Sequence, residues 1–249
     1  MCLIAIAFRQ HTDKPLIVAA NRDEFYHRPT EVSHWWDDVP ILAGRDLEKG
    51  GTWMGVSKNG RFCALTNYRD PNEQSAGKES RGHIVRAFLE SHLTAEVFLN
   101  ELDREKDRYP GFNLVAGTKD ELYAYGSRSG EKPFLLPPGI HVVSNAFINT
   151  PWPKTVRAKE KMAAALNSKE ELFDMLCDYT AANDTELPDT GVSIEWERLL
   201  SPIFIKSETY GTRSSTILEI SKNHSAVWTE RTVEPTKPVK EQTFSFEIN

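Results

Sequence analysis

Two short apolar runs open the chain and predict a pair of neighbouring strands. Residues 3–8 and 16–20 are apolar, with a polar turn between them, and the second run leads into the polar residues 21–24. Apolar runs of this length are typical of buried strands. The pattern therefore predicts that Cys2 begins one strand and that the other strand delivers a polar group near a sheet end.

The next part of the chain alternates between irregular and strand-like patterns. Residues 25–38 are aromatic and polar without a clean period, which predicts an ordered loop. After the adjacent glycines 50–51, residues 52–57 and 61–67 predict a hairpin around Asn59-Gly60, a dipeptide that favours tight hairpin turns. The glycines precede a strand and lack the P-loop spacing, so they do not indicate a phosphate loop.

Helical spacing appears in two blocks. Apolar residues at intervals of three and four predict one helix through residues 84–89, capped by Ser80, and a second through 97–102. A later pair is predicted to begin near Pro153 and at the Ser168 capping box. Further strands are predicted at 112–117, 122–125, 140–145, 212–221, 224–231 and 243–248, with a polar loop at 183–191.

This order of elements predicts the fold class. Strands, two helices, strands, two helices and strands follow one another without a linker or an internal repeat. Two groups of antiparallel strands with two groups of helices favour two packed sheets flanked by helices. We therefore expect an α+β protein, a four-layer αββα sandwich, with residues 1–249 forming a single domain.

Composition excludes several classes of protein. A formal charge of −6 and a pI near 5.7, without a basic cluster, argue against a nucleic-acid partner. The three cysteines are far apart and form no Cys-x-x-Cys pair, which argues against a disulfide scaffold or a zinc site. No stretch resembles a secretory signal or a transmembrane span. We expect a cytoplasmic protein with a small-molecule ligand and no required cofactor or metal.

Cys2 has an unusual chemical option because it follows Met1. If Met1 is removed, one residue carries both a thiol and the α-amino group of the chain, whose reference pKa values are about 8.5 and roughly 7.7–8.0. An N-terminal amine can then act as the base for the nucleophile. The simpler interpretation is that Cys2 is a small buried side chain that begins a strand.

Several other strand ends finish in residues suited to acyl chemistry. Asparagine side chains can donate to a developing oxyanion, and arginine can bind a carboxylate or orient a nucleophile. Each residue alone is weak evidence, but together with Cys2 they predict one site. The strand ends in question are residues 21–24, 65–67, 143–145 and 210–216.

Seven separated motifs run along nearly the whole chain. They are Met1-Cys2, the polar residues 21–24, Gly50-Gly51-Thr52-Trp53-Met54-Gly55, Leu65-Thr66-Asn67, Ser80-Arg81-Gly82, Gly111-Phe112-Asn113-Leu114 and residues 210–216. In these motifs and their order, the sequence resembles the NRDE family, also called the transport-and-Golgi-organisation protein 2 family. The resemblance implies an N-terminal-nucleophile (Ntn) hydrolase-like fold and a link to haem trafficking and to acyl-coenzyme A or lipid handling.

A more distant similarity is to the cholylglycine hydrolase and penicillin V acylase group. That similarity implies a nucleophilic cysteine, an Arg/Asp pair, later asparagines and a late arginine. Here Arg22 and Asp23 are adjacent, whereas the group separates the pair, so Glu24 could equally hold the acid position. The catalytic residues implied are Cys2, Arg22, Asp23, Asn67, Asn145 and Arg213.

Three functions remain open. In the first, Cys2 attacks a small-molecule amide or thioester. In the second, the same pocket carries haem or acyl-coenzyme A without turnover, and in the third the chain is an interaction protein that has kept an enzyme fold. Exposed tryptophans at 35 and 36 could line the pocket, or they could cover the edge of a core. The expected ligand-binding residues are Asn21, Glu24, Trp35, Trp36, Thr52 and Trp53, with haem as cargo rather than as a required cofactor.

Overall fold

The computed structural model describes residues 2–73, 75–234 and 237–249. The predicted removal of Met1 concerns a residue outside this part of the chain. In chain order, the strands are β1 (Cys2–Phe8), β2 (Leu16–Phe25), β3 (Thr30–Trp35), β4 (Ile41–Asp46), β5 (Met54–Ser57), β6 (Phe62–Asn67), β7 (Phe112–Gly117), β8 (Leu122–Gly126), β9 (Phe134–Leu135), β10 (Gly139–Val143), β11 (Tyr210–Ile220), β12 (Ser225–Thr232) and β13 (Lys240–Glu247).

The helices fall into two groups between these strands. Two follow β6, two follow β10, and a short fifth helix precedes β11. Their bounds are α1 (Gly82–Glu90), α2 (Ala95–Glu105), α3 (Pro153–Ala165), α4 (Lys169–Leu176) and α5 (Ile194–Leu200), with single 3₁₀ turns at Lys106–Arg108 and Asp184–Glu186.

All strand pairs within the two sheets are antiparallel. The first sheet has the order β10-β1-β2-β11-β12-β13, and the second has the order β3-β4-β5-β6-β7-β8-β9. Because successive side chains of a strand point to opposite faces, each sheet offers one face to the other sheet and one to helices. Ile4, Ile6 and Trp228 accordingly lie in the core between the sheets.

Helices cover the outer faces. Helices α1 and α2 pack on the second sheet, where Phe88 and Leu99 are buried. Helices α3 and α4 pack on the first sheet, where Leu3 and Ala5 of β1 meet Met162 and Phe173. The result is the expected α+β arrangement of two antiparallel sheets flanked by helices, in four layers.

Two local predictions were wrong, and one helix was not predicted. The segment 25–38 contains β3 rather than only loop, and Ser33 is the one buried residue of that strand. Helix α1 has Arg81 at its N-cap without a side-chain cap, so Ser80 does not cap it. The chain after the predicted 183–191 loop forms α5, which the pattern did not reveal.

Candidate functional site

A cavity of about 480 Å³ lies between the two sheets, at the end where β1 begins and β2 ends. One wall comes from the first sheet, through Cys2 and Arg22. The other comes from the second sheet and from the turn before α1, through Trp53, Asn67 and Arg81. Cys2 therefore lies where strand ends of the first sheet face strand ends of the second sheet.

Strand register places four cavity-lining side chains in one row. Cys2 of β1 is directly opposite Arg22 of β2, Arg22 is opposite Ser214 of β11, and Ser214 is opposite Thr232 of β12. All four line the cavity. Since directly opposite residues have Cβ atoms about 4.5–5.5 Å apart, neighbouring members of the row can contact the same small ligand.

The Cys2 thiol is enclosed but reaches the cavity. Cys2 is 7% exposed, and its even position in β1 directs the side chain toward the other sheet. Burial raises the pKa of the thiol, while the backbone N–H of Asp23 is directed at the sulfur and favours the thiolate. Because burial prevails, Cys2 needs a base before it can act as a nucleophile at neutral pH.

Asp23 lies beside Cys2 and is 2% exposed. Its Oδ1 accepts a hydrogen bond of 2.7 Å from the Thr212 hydroxyl. Burial raises the pKa of this carboxyl to about 6, and the nearby positive charges of Lys154 and Arg22 oppose that rise. A buried carboxylate at this position is suited to holding a cationic amine.

A buried lysine near Asp23 was not identified from the sequence. Lys154, in the first turn of α3, is 2% exposed and donates through Nζ to the Leu200 carbonyl at 2.9 Å. Burial lowers its pKa to about 8. Close by, Arg69 and Glu197 form an ion pair at 2.7 Å. A lysine just after a proline has the pattern of a surface residue, so the sequence contained no signal for its burial.

Arg22 and Arg28 share one acidic neighbour across the cavity. Asp46 of β4 lies 2.5 Å from Nε of Arg28 and 3.7 Å from Arg22. Burial would raise the pKa of Asp46, but the hydrogen bonds from Arg28 outweigh it and lower that pKa. Glu24 is half-buried and lies 3.9 Å from Arg28. Glu24 and Asp23 both line the cavity, and Asp23 is the carboxylate that acts electrostatically on Cys2.

A β-bulge places Arg213 in the cavity wall. The pairing of β11 with β2 shifts between Thr212 and Ser214, so Arg213 has no partner in the regular register. Bulges re-aim side chains in this way. Both Arg213 and Ser214 line the cavity, and Arg213 Nη1 donates to the carbonyls of Phe25 and Arg28 at 2.9 and 3.1 Å.

The two predicted asparagines meet, but only one lines the cavity. Asn145 donates through Nδ2 to the Asn67 carbonyl at 2.9 Å and accepts a hydrogen bond from Ser144. Asn67, at the end of β6, lines the cavity, while Asn145 lies behind it and is 1% exposed. Asn145 therefore orients the strand end that carries Asn67.

The predicted ligand-binding residues divide into two groups. Glu24, Thr52 and Trp53 line the cavity. Asn21, Trp35 and Trp36 do not. The Asn21 amide donates to the Leu176 and Ile203 carbonyls in the helical layer. Trp35 packs against Phe246 at 4.9 Å, and Trp36 is 4% exposed in the core under α1. Their position supports the interpretation that these tryptophans cover core edges.

A contact between two glycines brings Arg81 to the cavity. A Cβ on Gly51 would lie 2.5 Å from the Gly82 carbonyl carbon, so only glycine allows this approach. The Thr52 N–H donates to the Gly82 carbonyl at 3.2 Å. The motif Ser80-Arg81-Gly82 was the available signal for Arg81, although it did not indicate a place in the site.

Metal and membrane features are not found in the part of the chain that the structure describes. No group of three or more His, Cys, Asp or Glu residues there could hold a metal ion. None of the described helices combines the length and the apolar character that crossing a bilayer requires.

Comparison with known proteins identifies relatives over most of the chain. A family model described as "Transport and Golgi organisation 2" matches residues 1–235. The mouse transport and Golgi organization 2 homolog is 34% identical over 239 residues, which cover 88% of this chain and 86% of the mouse protein. The bovine homolog is 33% identical over 256 residues, covering 94% of this chain and 92% of that protein.

Solved structures share the fold at low sequence identity. A mutant conjugated bile acid hydrolase from Clostridium perfringens has a TM-score of 0.51 and 8% identity, with 100% of this chain and 97% of the hydrolase covered. The Caenorhabditis elegans ortholog of N-acylethanolamine-hydrolyzing acid amidase has a TM-score of 0.50 and 10% identity, covering 87% and 92% of the chains. At these identities the likeness concerns the fold, and it confirms the predicted Ntn-hydrolase-like architecture.

Proposed function

Because this chain belongs to the transport and Golgi organisation 2 family and has a buried cysteine at position 2 in the wall of its cavity, we propose that it is an N-terminal-cysteine hydrolase for a small-molecule amide or thioester. The observation that carries the proposal is the position of Cys2, opposite Arg22 in the register and with the Asp23 N–H directed at its sulfur. The conjugated bile acid hydrolase and the acid amidase ortholog that share its fold support the proposal through that fold.

The proposed reaction begins after Met1 is removed. The free amine of Cys2 takes the thiol proton, and the sulfur attacks the carbonyl carbon of the ligand. The ammonium then gives the proton to the leaving amine or thiol as the carbon–heteroatom bond breaks, leaving a thioester on Cys2. Water, deprotonated by the same amine, releases the acid and restores the thiol.

Neighbouring side chains have defined parts in this proposal. The Asp23 carboxylate holds the Cys2 ammonium, a role favoured by its burial beside Cys2. Asn67 donates to the oxyanion, and Asn145 fixes the strand end that carries Asn67. The proposal also places the protein in a reducing compartment, the cytoplasm, because its three cysteines are free.

A second candidate is a carrier that binds haem or acyl-coenzyme A without turnover. The cavity of about 480 Å³ is within the range usual for small-molecule sites. Cys2 and His83 both line it, and thiolate and imidazole groups are iron ligands in haem proteins. In this candidate Cys2 has no chemical step to perform.

The first prediction separates these two functions. Wild type and Cys2→Ser are compared on a panel of amides and thioesters that includes acyl-coenzyme A, with haem and acyl-coenzyme A affinity measured on the same samples. Cys2→Ser should lower turnover by at least about a thousandfold, because it removes the nucleophile. Ligand affinity should change little, since serine is similar in size.

The matched control is Cys177→Ser, because Cys177 is the exposed free cysteine. It should leave turnover unchanged. Intact mass establishes whether Met1 is gone, and complete retention of Met1 in active protein would rule out the amine as base. Turnover that survives in Cys2→Ser would overturn the assignment of the nucleophile. Tight haem or acyl-coenzyme A binding without turnover in either protein would favour the carrier.

A further inference from the structure

Two arginines that line the Cys2 cavity have no carboxylate within ion-pair distance, and a third, Arg22, has only a distant one. Among the described residues, Arg81 and Arg213 have no Asp or Glu oxygen within 4 Å, and both donate hydrogen bonds to backbone carbonyls. Arg22 has only Asp46, at 3.7 Å, and Asp46 is bound closely by Arg28. Seven Arg and Lys residues and six Asp and Glu residues line this cavity, so its wall has a small excess of positive charge, although the whole chain is acidic at −6.

Arg22 shows this most directly. It is 7% exposed, and its buried Nη1 has no hydrogen-bond partner among the described residues. Buried polar groups are nearly always hydrogen-bonded, and leaving a buried charged donor unsatisfied is costly. An unpartnered guanidinium N–H in a cavity wall is thus a donor that an anionic ligand could satisfy.

Arg213 adds a second positive charge on the same side. The bulge in β11 places Arg213 next to Ser214, which is opposite Arg22 in the register. Burial lowers the pKa of Arg213, and the like charge of Arg22 lowers it further. Two guanidinium groups held near each other repel, and an anion between them would turn that repulsion into attraction.

Arg81 approaches from the second sheet. The Gly51–Gly82 contact fixes the turn before α1, and Arg81 Nη1 donates to the Gly111 carbonyl at 3.0 Å. Glu73, the Cys2 thiol and Glu24 act electrostatically on Arg81, with Glu73 the strongest of the three. Arginines therefore face the surroundings of Cys2 from both sheets.

We infer that this cavity recognises an anionic ligand, whose carboxylate or phosphate group binds between Arg22 and Arg213 with Arg81 nearby. Because Arg22 is directly opposite Cys2, the anionic group lies close to the carbonyl that Cys2 attacks. The inference rests on the proposed function for the position of that carbonyl. The anion site itself depends only on the arginines.

The test uses protection of Cys2 from alkylation, so it needs no substrate. Iodoacetamide modifies the full chain at increasing concentrations of inorganic phosphate, acetate or succinate, with chloride at matched ionic strength as the reference for screening. Peptide-resolved mass spectrometry separates Cys2 from the exposed Cys177. We expect one anion class to slow alkylation of Cys2 saturably, and the phosphate and carboxylate arms identify which class.

Variants assign the effect to the arginines. Arg22→Gln and Arg213→Gln should each raise the half-protecting concentration by about tenfold or more, because each removes charge-assisted hydrogen bonds. Arg22→Lys keeps the charge and should retain part of the protection, and it replaces Arg22→Gln if that variant does not fold. Arg104→Gln, on the exposed face of α2, is the matched control and should behave as wild type.

The outcomes distinguish this inference from the proposed function. Absence of protection by any of the anions beyond chloride, or protection unchanged in both glutamine variants, would overturn the inference. Protection by an anion without turnover of any substrate would leave the anion site standing and remove the hydrolase. Turnover of uncharged substrates that is insensitive to Arg22→Gln would leave the hydrolase standing and remove the anion site.

Discussion

At the scale of single residues, Asp23 is expected to lower stability at neutral pH. Its carboxyl has a pKa of about 6 in the folded protein against 3.8 as the reference value. The folded state therefore holds this proton more tightly than the unfolded chain, and the free energy of unfolding should fall as pH rises from about 4 through about 6. The loss is nearly complete at about pH 7, where the carboxyl is ionised in both states.

Asp23→Asn should remove this loss. We expect the free energy of unfolding at pH 7 to rise by about 2–3 kcal/mol, from about 1.4 kcal/mol per pH unit, because asparagine keeps an oxygen for Thr212 and carries no charge. Thermal or denaturant unfolding at pH 4.5 and pH 7 measures it. The exposed Asp37→Asn is the control and should be neutral. A variant less stable than wild type at pH 7 would mean that the Asp23 charge is net stabilising.

Residue roles were only partly predictable. The apolar runs placed Cys2, Arg22 and Asp23 at neighbouring strand ends, whereas their catalytic roles came from the family resemblance and stay predictions. Trp35 and Trp36 were predicted to bind the ligand but do not line the cavity, since aromatic side chains suit both a pocket and a core edge. Lys154 was missed altogether because its burial arises from packing between α3 and the end of α5, which no local pattern encodes.

At the scale of elements, the close contact between Gly51 and Gly82 fixes the start of α1. Gly51→Ala places a Cβ 2.5 Å from backbone, so the turn carrying Arg81 must shift. We expect a loss of about 1–3 kcal/mol in the free energy of unfolding, as for other overpacked sites. Anion protection of Cys2 should weaken as well. Denaturant unfolding and the alkylation assay measure the two effects.

The neighbouring glycine provides the control. Gly50 has a φ of +73° and open space around a Cβ, so Gly50→Asn should be tolerated because asparagine adopts this region more readily than other residues. A Gly51→Ala protein as stable as wild type, with unchanged protection, would show that the turn can relax without moving Arg81.

Elements with a clear apolar face could be predicted, and those without one could not. Strands β1 and β2 and helices α3 and α4 bury apolar residues at regular spacing. Strand β3 buries only Ser33, whose N–H and hydroxyl both bind Glu230, so its pattern is that of a loop. Helix α5 buries Glu197, which pairs with Arg69, and its apolar Ile194 is largely exposed. The positions of β3 and α5 therefore depend on polar partners elsewhere in the chain, Glu230 for β3 and Arg69 for α5.

At the scale of the whole molecule, the core between the sheets contains one unpaired polar group that can be removed. Trp228 is 1% exposed, and its indole N–H has no hydrogen-bond partner among the described residues. Trp228→Phe should cost at most about 1.5 kcal/mol, because removing the unsatisfied N–H offsets the lost volume. Trp228→Ala should cost about 3–5 kcal/mol. Urea unfolding measures both.

Trp196→Phe serves as the reference for this comparison, since Trp196 is 41% exposed. This substitution should change the free energy of unfolding by less than about 0.5 kcal/mol. If Trp228→Phe is as costly as Trp228→Ala, the indole N–H has a partner, such as bound water, that holds the two sheets together.

The row from Cys2 to Thr232 has a consequence for protein engineering. Its members lie on neighbouring strands about 4.8 Å apart, so the row extends roughly 14 Å across the cavity wall. Ser214 and Thr232 belong to none of the buried apolar clusters. A combinatorial library at these two positions would therefore change the length of ligand that fits in increments of one strand spacing, while the nucleophile and the core retain their native residues.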